Sequence, residues 1–422
     1  MKRVVVTGLG IVSPNGIGLD DFSHAIKHGK SGVKFDQQLA DLQFSCQISA
    51  KPEITDENAR EYFTELELRN FNSTGILYGV IAGVDAWKDA GLPVESESKT
   101  DFDSGTIFGA GTSGIEKFRE SIYKIDEGQT RRLGSTAVAQ TMNSGVSAYL
   151  GGKLGLGNQV TTNSSACTTG TEAILMAFER IKSGKAKRML AGSTSDSGPY
   201  IWGGFDAMRV CTFKHNDSPE NGSRPMSESA SGFVPGSGAG ALVLEDLESA
   251  LARGAKIYCE VLGGNVNSGG QRGEGTMTAP NPEAVQKCIT DAVADAGISP
   301  TDIDTINGHL TATSKDALEI HNWSEALGRT GADFPYINSL KSMIGHGLSA
   351  AGAMECVATI LQMHHGFIFP NINCEDLHPE ITNLVDESRI PMQFVEKTVN
   401  IAIKASFGFG DVNGCVIFRK NF

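Results

Sequence analysis

Short apolar runs alternate with segments of helical periodicity along most of the chain. Val- and Ile-rich runs predict strands, and apolar residues three and four positions apart predict helices. This alternation predicts an α/β fold with largely parallel sheets. No Pro- or Ser-rich linker interrupts it, so two closely packed halves are expected. The predicted strands are 3–7, 106–108, 160–163, 188–191, 256–262, 304–307, 401–405 and 415–418, and the predicted helices are 77–89, 168–183, 282–296, 315–327 and 349–364.

Residues 163–180 and 338–362 share one pattern. Each segment begins with Asn-Ser, passes through a turn of small residues that carries one reactive side chain, and enters an apolar helix. An internal duplication explains this likeness, and chance is the alternative.

The composition is that of an ordinary globular protein. Of the 422 residues, 40% are hydrophobic and 20% are charged, which argues against intrinsic disorder. The net charge of −13 argues against nucleic acid as a partner, because neutralising phosphates requires a basic surface. An acidic partner would need a local basic patch.

Targeting and redox signals are weak in this sequence. No stretch approaches the run of about eighteen apolar residues that a transmembrane helix needs. The first apolar run, from Val4 to Val6, is too short for a signal peptide. The eight cysteines are scattered, with no C-x-x-C pair and no metal-ligand spacing. These features predict a reduced, cytoplasmic compartment and no metal site.

The most informative segment is Asn163-Ser-Ser-Ala-Cys167-Thr-Thr-Gly170. An apolar strand leads into this turn of small residues, and an amphipathic helix follows. Cys167 is therefore predicted at a helix N-terminus, where free N–H groups and the helix dipole favour a thiolate. Most cysteines are structural, but this strand–turn–helix setting favours a nucleophile. The other seven cysteines are interpreted as structural.

Two of the nine histidines occupy unusual positions. His309 follows a predicted strand, at the end of the strand where open α/β sheets place their sites. His346 follows Lys341-Ser-Met-Ile-Gly345 and precedes an apolar helix, whose dipole keeps an imidazole neutral. A neutral ring is able to donate a hydrogen bond to a developing oxyanion. A structural role is the alternative for each histidine.

The segment Phe407-Gly-Phe409-Gly-Asp411-Val-Asn413 predicts a mobile loop with a bulky tip. Two glycines flank Phe409, so the loop is suited to gating a pocket and to supplying a backbone N–H. Near the start of the chain, Gly8-Leu-Gly10 is not a dinucleotide fingerprint, because Ser13 stands where the third glycine is needed.

These segments resemble the elongating β-ketoacyl-acyl-carrier-protein synthases of types I and II, in the thiolase superfamily. The likeness runs nearly end to end and includes the opening residues 2–13, Phe205-Asp-Ala-Met208, Gly232-Phe233 and Ala252-Arg-Gly-Ala-Lys256. It implies a thiolase-like five-layer α-β-α-β-α sandwich of two similar fused halves, at 1–254 and 255–422. It also implies a dimer, usually of two identical chains.

The resemblance implies a catalytic role for four residues and a gate. Cys167 matches the nucleophile, and His309 and His346 match the two histidines that serve decarboxylation. Lys341 matches the lysine of the K-x-x-x-x-G-H motif, where it either polarises His309 and organises water or forms a structural ion pair with Glu319. Phe409 matches the gating phenylalanine, and its N–H and that of Cys167 would form the oxyanion hole.

Further residues match the substrate channel and its support. Thr311 and Thr313 match the threonines that contact phosphopantetheine, and Asp316 and Glu319 match a supporting D-x-x-E pair. Substrate-binding positions are therefore expected at Thr112, which matches the floor of the acyl pocket at the dimer interface, and at Phe205, Thr311 and Thr313.

The chain departs from the family pattern in both C-terminal loops. Leu310 replaces a glycine, and the loop that contains it lacks a proline and is one residue shorter. Asp411 replaces the last glycine of G-F-G-G, and Ser231 and Ser237 stand where acidic residues are usual. No catalytic side chain is lost, but pocket shape and substrate stay open, and a specialised synthase outside the housekeeping fatty-acid cycle fits these changes.

The reaction implied by the resemblance is a decarboxylative Claisen condensation. A Cys-bound acyl group reacts with malonyl-acyl-carrier protein to give 3-oxoacyl-carrier protein, in fatty-acid or in polyene- or polyketide-type elongation. The expected partner is acyl-carrier protein, whose phosphopantetheine carries the substrates, and no metal or redox cofactor is implied. Arg69, Arg131 and Arg132 are candidates for the docking patch, although Glu65 and Glu67 weaken the first.

Four other protein classes share part of this pattern. A thiolase needs a second cysteine in a C-x-G-x-G setting, which Cys415 lacks. A type III synthase has asparagine where His346 stands, and a chain-length factor lacks the cysteine at 167. A low-activity or non-catalytic heterodimer partner of another ketosynthase stays open, and Leu310 is the feature that favours it.

Overall fold

The computed structural model describes residues 1–94, 100–270 and 277–420. The strands are β1 Val4–Ser13, β2 Gly16–Ile17, β3 Lys34–Phe35, β4 Ile48–Ser49, β5 Ser104–Ala110, β6 Val160–Thr161, β7 Arg188–Ser195, β8 Gly238–Asp246, β9 Cys259–Ser268, β10 Thr305–Asn307, β11 Tyr336–Asn338, β12 Phe367–Ile368, β13 Val395–Glu396, β14 Ile401–Gly408 and β15 Val412–Arg419.

The α-helices are α1 Leu19–Lys27, α2 Gln37–Asp41, α3 Asp56–Arg60, α4 Glu65–Leu68, α5 Thr74–Asp89, α6 Ile115–Asp126, α7 Ala137–Thr141, α8 Gly145–Leu154, α9 Thr169–Lys182, α10 Pro199–Ala207, α11 Leu247–Ala252, α12 Pro282–Ala296, α13 Asp316–Leu327, α14 Lys341–Ile344, α15 Ala351–His365 and α16 Pro379–Thr382. Each predicted strand and helix overlaps an observed one, and the prediction for α12 has the observed bounds. Within the described ranges, no helix has the length and apolar character needed to cross a membrane.

The main sheet repeats one pairing pattern in two halves. Its strand order is β11-β10-β14-β15-β9-β1-β8-β7-β5-β6. In the first half, β8 is antiparallel to β1 and β7, while β5 is parallel to β7 and β6. In the second half, β15 is antiparallel to β9 and β14, while β10 is parallel to β14 and β11. The expectation of two similar halves is therefore confirmed.

The expectation of largely parallel sheets is wrong. At least half of the pairings within each half are antiparallel, and β1 meets β9 antiparallel where the halves join. The reason lies in the connections, which hydrophobic patterning does not reveal. Only three residues separate β14 from β15, and so short a connection permits only an antiparallel hairpin.

Helices divide the molecule into five layers. Helices α5 and α8 cover one half of the sheet, and α12 and α13 cover the other. Between the halves lie α9 and α15, which contact strands of both. Nearly every residue of α15 is buried, as expected for a helix enclosed on all sides. This is the five-layer α-β-α-β-α arrangement expected for a thiolase-like fold.

Two glycines permit the close approach of the central helices. A Cβ on Gly170 would lie 2.3 Å from the backbone nitrogen of Ala353, and one on Gly352 would lie 2.7 Å from that of Thr171. The N-terminal turns of α9 and α15 therefore touch through their backbones. Because the site residues precede these two helices, this contact sets how closely they meet.

Candidate active site

Cys167 lies in a strained turn immediately before α9. Ala166 has a φ of 48°, in the left-handed region that a side chain rarely adopts. The turn is fixed by hydrogen bonds: Thr169 Oγ1 donates to the Ala166 carbonyl at 2.6 Å, and Asn163 Nδ2 donates to Glu172 Oε2 at 2.9 Å. The nucleophile position expected from the small-residue motif is therefore a rigid elbow.

The loop after β10 is held by two buried carboxylates at the start of α13. The backbone N–H groups of His309 and Leu310 each donate to Glu319 at 2.7 Å. Those of Thr311 and Ala312 donate to Asp316 at 2.9 and 3.1 Å. Two side chains thus accept hydrogen bonds from four consecutive backbone N–H groups. These hydrogen bonds fix the loop, whose N–H groups do not pair with a strand.

Leu310 occupies the backbone conformation that suits the glycine it replaces. Its φ is 23°, yet its side chain is buried in the apolar cluster that contains Ile306 and Trp323. Left-handed backbone costs a non-glycine residue about 1–2 kcal/mol, and burying a leucine side chain stabilises by about 1.5–3 kcal/mol. Burial of the Leu310 side chain therefore offsets the cost of its backbone conformation.

The ring of His346 is oriented by its own backbone. The N–H of Leu348 donates to His346 Nδ1 at 3.2 Å, and the His346 N–H donates to the Val234 carbonyl at 2.8 Å. Because Nδ1 accepts a hydrogen bond, the neutral ring carries its proton on Nε2. His346 is therefore set up as a hydrogen-bond donor toward the cavity.

The structure brings Cys167, His309 and His346 together. One ligating atom of each, the sulfur and a ring nitrogen, lies within 4.8 Å of the other two. The two imidazole rings meet edge to face, with centroids 5.3 Å apart and an angle of 83°. A metal ion also favours such atoms, but the motif matches point to thioester chemistry, and a metal-free site stays a prediction.

Burial is the largest influence on the pKa values of Cys167, His309 and His346. It raises the pKa of Cys167 to about 11, against the opposing effects of Lys341 and of the N–H groups of Phe409 and Cys167 itself. The expected preference for a thiolate is therefore wrong for the resting site, because desolvation outweighs the helix dipole. Burial and Lys341 hold the pKa of His309 and of His346 well below 6.5, so both rings are neutral at neutral pH.

Lys341 is paired with a carboxylate that the sequence did not reveal. Its ammonium donates to Glu355 and to the carbonyl of His309, the latter at 2.7 Å. The alternative of an ion pair with Glu319 is wrong, because Glu319 receives backbone N–H groups instead. Lys404 lies on the far side of Glu355, 2.9 Å from its Oε2. The one sequence signal for this ion pair was a glutamate, Glu355, within the otherwise apolar helix α15.

A cavity of about 240 Å³ opens above these groups. Its lining includes the predicted catalytic and pantetheine-contacting residues Cys167, His309, His346, Thr311, Thr313 and Phe409. Two predicted substrate residues lie outside it. Thr112 is exposed on the surface of this chain. Phe205 stacks obliquely on Phe409, with ring centroids 5.7 Å apart, so it packs against Phe409 rather than lining the cavity itself.

The loop between β14 and β15 forms one wall of the cavity. The Phe409 N–H lies close enough to the Cys167 sulfur to lower the pKa of the thiol, and an oxyanion-hole role for this N–H stays a prediction. Asp411, with a φ of 60°, accepts the Asn281 N–H through Oδ1 at 3.1 Å. Its carbonyl accepts the Gly269 N–H at 2.8 Å. Asp411 thus fastens the loop to the segments on either side of residues 271–276.

The candidate docking arginines lie on the surface. Arg69, Arg131 and Arg132 are exposed, and Arg131 and Arg132 share a short helical turn. None of them lines the cavity that contains Cys167. A docking role for them stays a prediction.

Comparison with known proteins matches the whole chain to one family. Residues 1–250 match the family model "Beta-ketoacyl synthase, N-terminal domain", and residues 258–375 match "Beta-ketoacyl synthase, C-terminal domain". The chain is 34% identical to the chloroplastic 3-oxoacyl-[acyl-carrier-protein] synthase I of Arabidopsis thaliana, over 99% of this chain and 86% of the relative.

Two solved structures are similar over their full length. One is a type II polyketide acyl-carrier protein in complex with its ketosynthase bound to the hexaketide, at 28% identity and a TM-score of 0.87. The other is the ishigamide ketosynthase/chain length factor, at 26% identity and a TM-score of 0.87. Each match covers 100% of both chains. With the two family models and the full-length relative, these matches show that the chain belongs to the beta-ketoacyl synthase family.

Proposed function

We propose that this chain condenses a Cys167-bound acyl group with malonyl-acyl-carrier protein, releasing CO₂ and 3-oxoacyl-carrier protein. The observation that carries the proposal is the meeting of the Cys167 sulfur with two neutral imidazoles at the base of one cavity. Neutral histidines donate hydrogen bonds to a developing enolate, whereas a cysteine protease would need a histidine that accepts a proton.

Acyl transfer is the first half-reaction. The Cys167 sulfur attacks the acyl thioester, and the N–H groups of Cys167 and Phe409 receive the oxyanion. The carbon–sulfur bond to pantetheine then breaks, and the thiol proton of Cys167 ends on the departing pantetheine sulfur. Thr311 and Thr313, whose hydroxyls lie 3.1 Å apart at the cavity wall, are proposed to position the pantetheine arm.

Decarboxylation and carbon–carbon bond formation are the second half-reaction. His309 and His346 donate to the malonyl thioester oxygen, so the electrons of the breaking carboxylate bond collect on an enolate while CO₂ leaves. The enolate carbon attacks the acyl carbon, the carbon–sulfur bond to Cys167 breaks, and the released thiolate takes up a proton from water to restore the resting thiol. Lys341 is proposed to position His309 through its carbonyl and to hold both rings neutral by its charge.

The proposed partners are acyl-carrier protein and a second copy of the chain. Relatives named for acyl-carrier protein and a similar ketosynthase seen in complex with its carrier support the first. Thr112 is proposed to meet the acyl chain only at such a dimer interface. The boundary between halves is proposed near residue 254. Eight free cysteines support a reduced, cytoplasmic location.

A reconstitution assay tests the proposal. Purified chain is mixed with an acyl-carrier substrate and malonyl-carrier protein, and the carrier is analysed by mass spectrometry. We expect a 3-oxoacyl product that depends on malonyl-carrier and is absent with Cys167→Ala. Release of CO₂ without any 3-oxoacyl product would contradict the proposal.

A heterodimer partner of another ketosynthase is the second candidate. The similar ishigamide ketosynthase/chain length factor favours it. Under this alternative the purified chain alone stays inactive, and activity appears only when a second ketosynthase chain is added. Activity of the chain alone would exclude it.

A further inference from the structure

Lys404 is a buried lysine that no predicted role uses. It lies on β14, three residues before Phe407, and its side chain has no exposed surface. Its ammonium donates to the carbonyl of Ala405 and lies 3.3 Å from Ser406 Oγ. Ser406 in turn lies 2.9 Å from Thr171 Oγ1, on the helix that follows Cys167.

Two lysines share one carboxylate beneath the site. Glu355 contacts Lys341 through Oε1 and Lys404 through Oε2, and all three side chains are at most 2% exposed. Lys404 directs its hydrogen bonds elsewhere, so its contact with Glu355 is an ion pair without hydrogen-bond geometry. The three charges sum to +1. Burying an unbalanced charge is costly, so this arrangement calls for a compensating negative charge nearby.

Glu319, a buried carboxyl close to Lys341, does not supply that charge in full. Glu319 acts on Lys341, but burial raises the pKa of Glu319 to about 7, so its protonated form is substantial at neutral pH. Two positions near this cluster gain negative charge during the proposed reaction. These are the sulfur of Cys167 and the malonyl thioester oxygen to which the two histidines would donate.

We propose that Lys404 is a positioning residue whose charge makes the buried Lys341–Glu355–Lys404 cluster net positive, and that this excess stabilises the negative charge formed at Cys167 and at the malonyl thioester oxygen. The first part stands on the geometry of the cluster alone. The second part rests on the proposed condensation.

The sign of the effect is the same at each neighbouring group. A buried cation favours the deprotonated form of any acid in its field. The field of Lys404 lowers the pKa of His309, His346, Lys341, Cys356 and Cys415, and that of Lys341 lowers the pKa of Cys167. Removing Lys404 should therefore make the whole site hold its protons more tightly.

Alkylation of Cys167 by iodoacetamide tests the first part without any carrier protein. The rate at a fixed pH of 8 is followed by mass spectrometry of the peptide that contains Cys167. We expect Lys404→Met to slow alkylation about three- to tenfold, since a rise of one pKa unit lowers the thiolate fraction tenfold and the greater nucleophilicity of the more basic thiolate partly offsets this loss. The control Lys397→Met removes an exposed lysine and should leave the rate unchanged.

Glu355→Gln should change the alkylation rate in the opposite direction, so it separates the electrostatic effect from an effect of misfolding. It leaves both lysines and raises the charge of the cluster, so alkylation should accelerate. Circular dichroism checks that each variant is folded. Equal alkylation rates in the wild type and both variants, or slowing in both, overturn the proposal.

The pH profile of malonyl-carrier decarboxylation tests the second part. Lys404→Met should move the acid limb of the profile upward by about one pH unit, because the histidines then protonate more readily. If Lys404→Met slows alkylation but leaves the acid limb of the decarboxylation profile unchanged, only the second part of the proposal is overturned. Absence of decarboxylation in the wild-type chain defeats the proposed function and leaves the alkylation result standing.

Discussion

At the scale of single residues, the site is defined by what each polar group accepts and donates. Leu348 fixes the proton of His346 on Nε2, and Glu319 fixes the backbone of His309. Both imidazoles are buried and neutral, and they approach the same sulfur. Hydrogen-bond donation, rather than proton abstraction from the cysteine, is the chemistry that this arrangement favours.

Alanine variants of the histidines separate the two half-reactions. His309→Ala or His346→Ala should lower malonyl-carrier decarboxylation at least a hundredfold, since one oxyanion donor is worth about 3 kcal/mol. Acylation of Cys167 should stay measurable. Radiolabelled CO₂ release and intact-protein mass spectrometry follow the two reactions, and equal loss of both would instead make the histidines general bases for the cysteine.

The pH dependence of decarboxylation follows from the neutral histidines. Their pKa values lie well below 6.5, so lowering the pH through 6.5 should not protonate them. The acid limb of the rate profile is therefore expected below the range of an exposed histidine. A limb centred at 6.5 or above would contradict the burial argument.

Leu310→Gly tests how this chain accommodates its departure from the family. The change relieves left-handed strain of about 1–2 kcal/mol but removes a buried leucine side chain, which costs about 2–5 kcal/mol. We expect a net loss of stability in urea unfolding. A gain in stability would mean that strain at this position outweighs packing.

Sequence reasoning located Cys167, His309 and His346 because each sits in a short motif at the end of a strand or the start of a helix. It missed Glu355 and Lys404 for a physical reason. The two residues of this buried ion pair lie on elements that are far apart along the chain, and neither residue belongs to a recognisable sequence motif. Only the packing of α15 against β14 brings the two charges together.

At the scale of elements, strand positions were predictable and strand directions were not. Apolar runs located β1, β7, β14 and β15, but their alternation is the same for either direction. The turn of the hairpin formed by β14 and β15 is the loop that carries Phe409, the predicted gate. The antiparallel direction of these strands is therefore what places Phe409 in the wall of the cavity.

The contact between the two central helices is expected to be intolerant of any side chain. Gly170→Ala would place a Cβ 2.3 Å from the backbone of Ala353, where nothing is free to move aside. We expect a loss of about 3 kcal/mol or more in urea unfolding. The control is Gly152→Ala on α8, where a Cβ meets nothing within 4 Å, and which should stabilise by about 0.5–1 kcal/mol. Equal effects would refute the close contact.

The Phe409 loop is expected to act as a gate that Asp411 restrains. Phe409→Ala should relax discrimination among acyl substrates, with a smaller loss in condensation than the histidine variants show. Asp411→Gly removes the contact with Asn281 and the restriction on φ, so acylation should accelerate in stopped-flow measurements. Unchanged acylation rates in both variants would show that loop motion does not limit access.

At the scale of the whole molecule, the two halves contribute different parts of one site. The first half supplies Cys167 on the turn before α9, and the second supplies both histidines, Phe409 and Lys341, which contacts the His309 carbonyl. The halves share one pairing pattern, so the weak likeness of residues 163–180 and 338–362 reflects a structural repeat. Their central helices meet at Gly170 and Gly352, which brings the cysteine to the histidines.

Intact-protein mass spectrometry after incubation with acyl-carrier protein tests the central claim most directly. The purified chain should gain the mass of one acyl group, the adduct should map to Cys167, and Cys167→Ala should gain none. Addition of malonyl-carrier protein should then clear the adduct from the wild type and yield 3-oxoacyl-carrier protein. An adduct that persists in Cys167→Ala, or one that malonyl-carrier protein never discharges, would contradict the account.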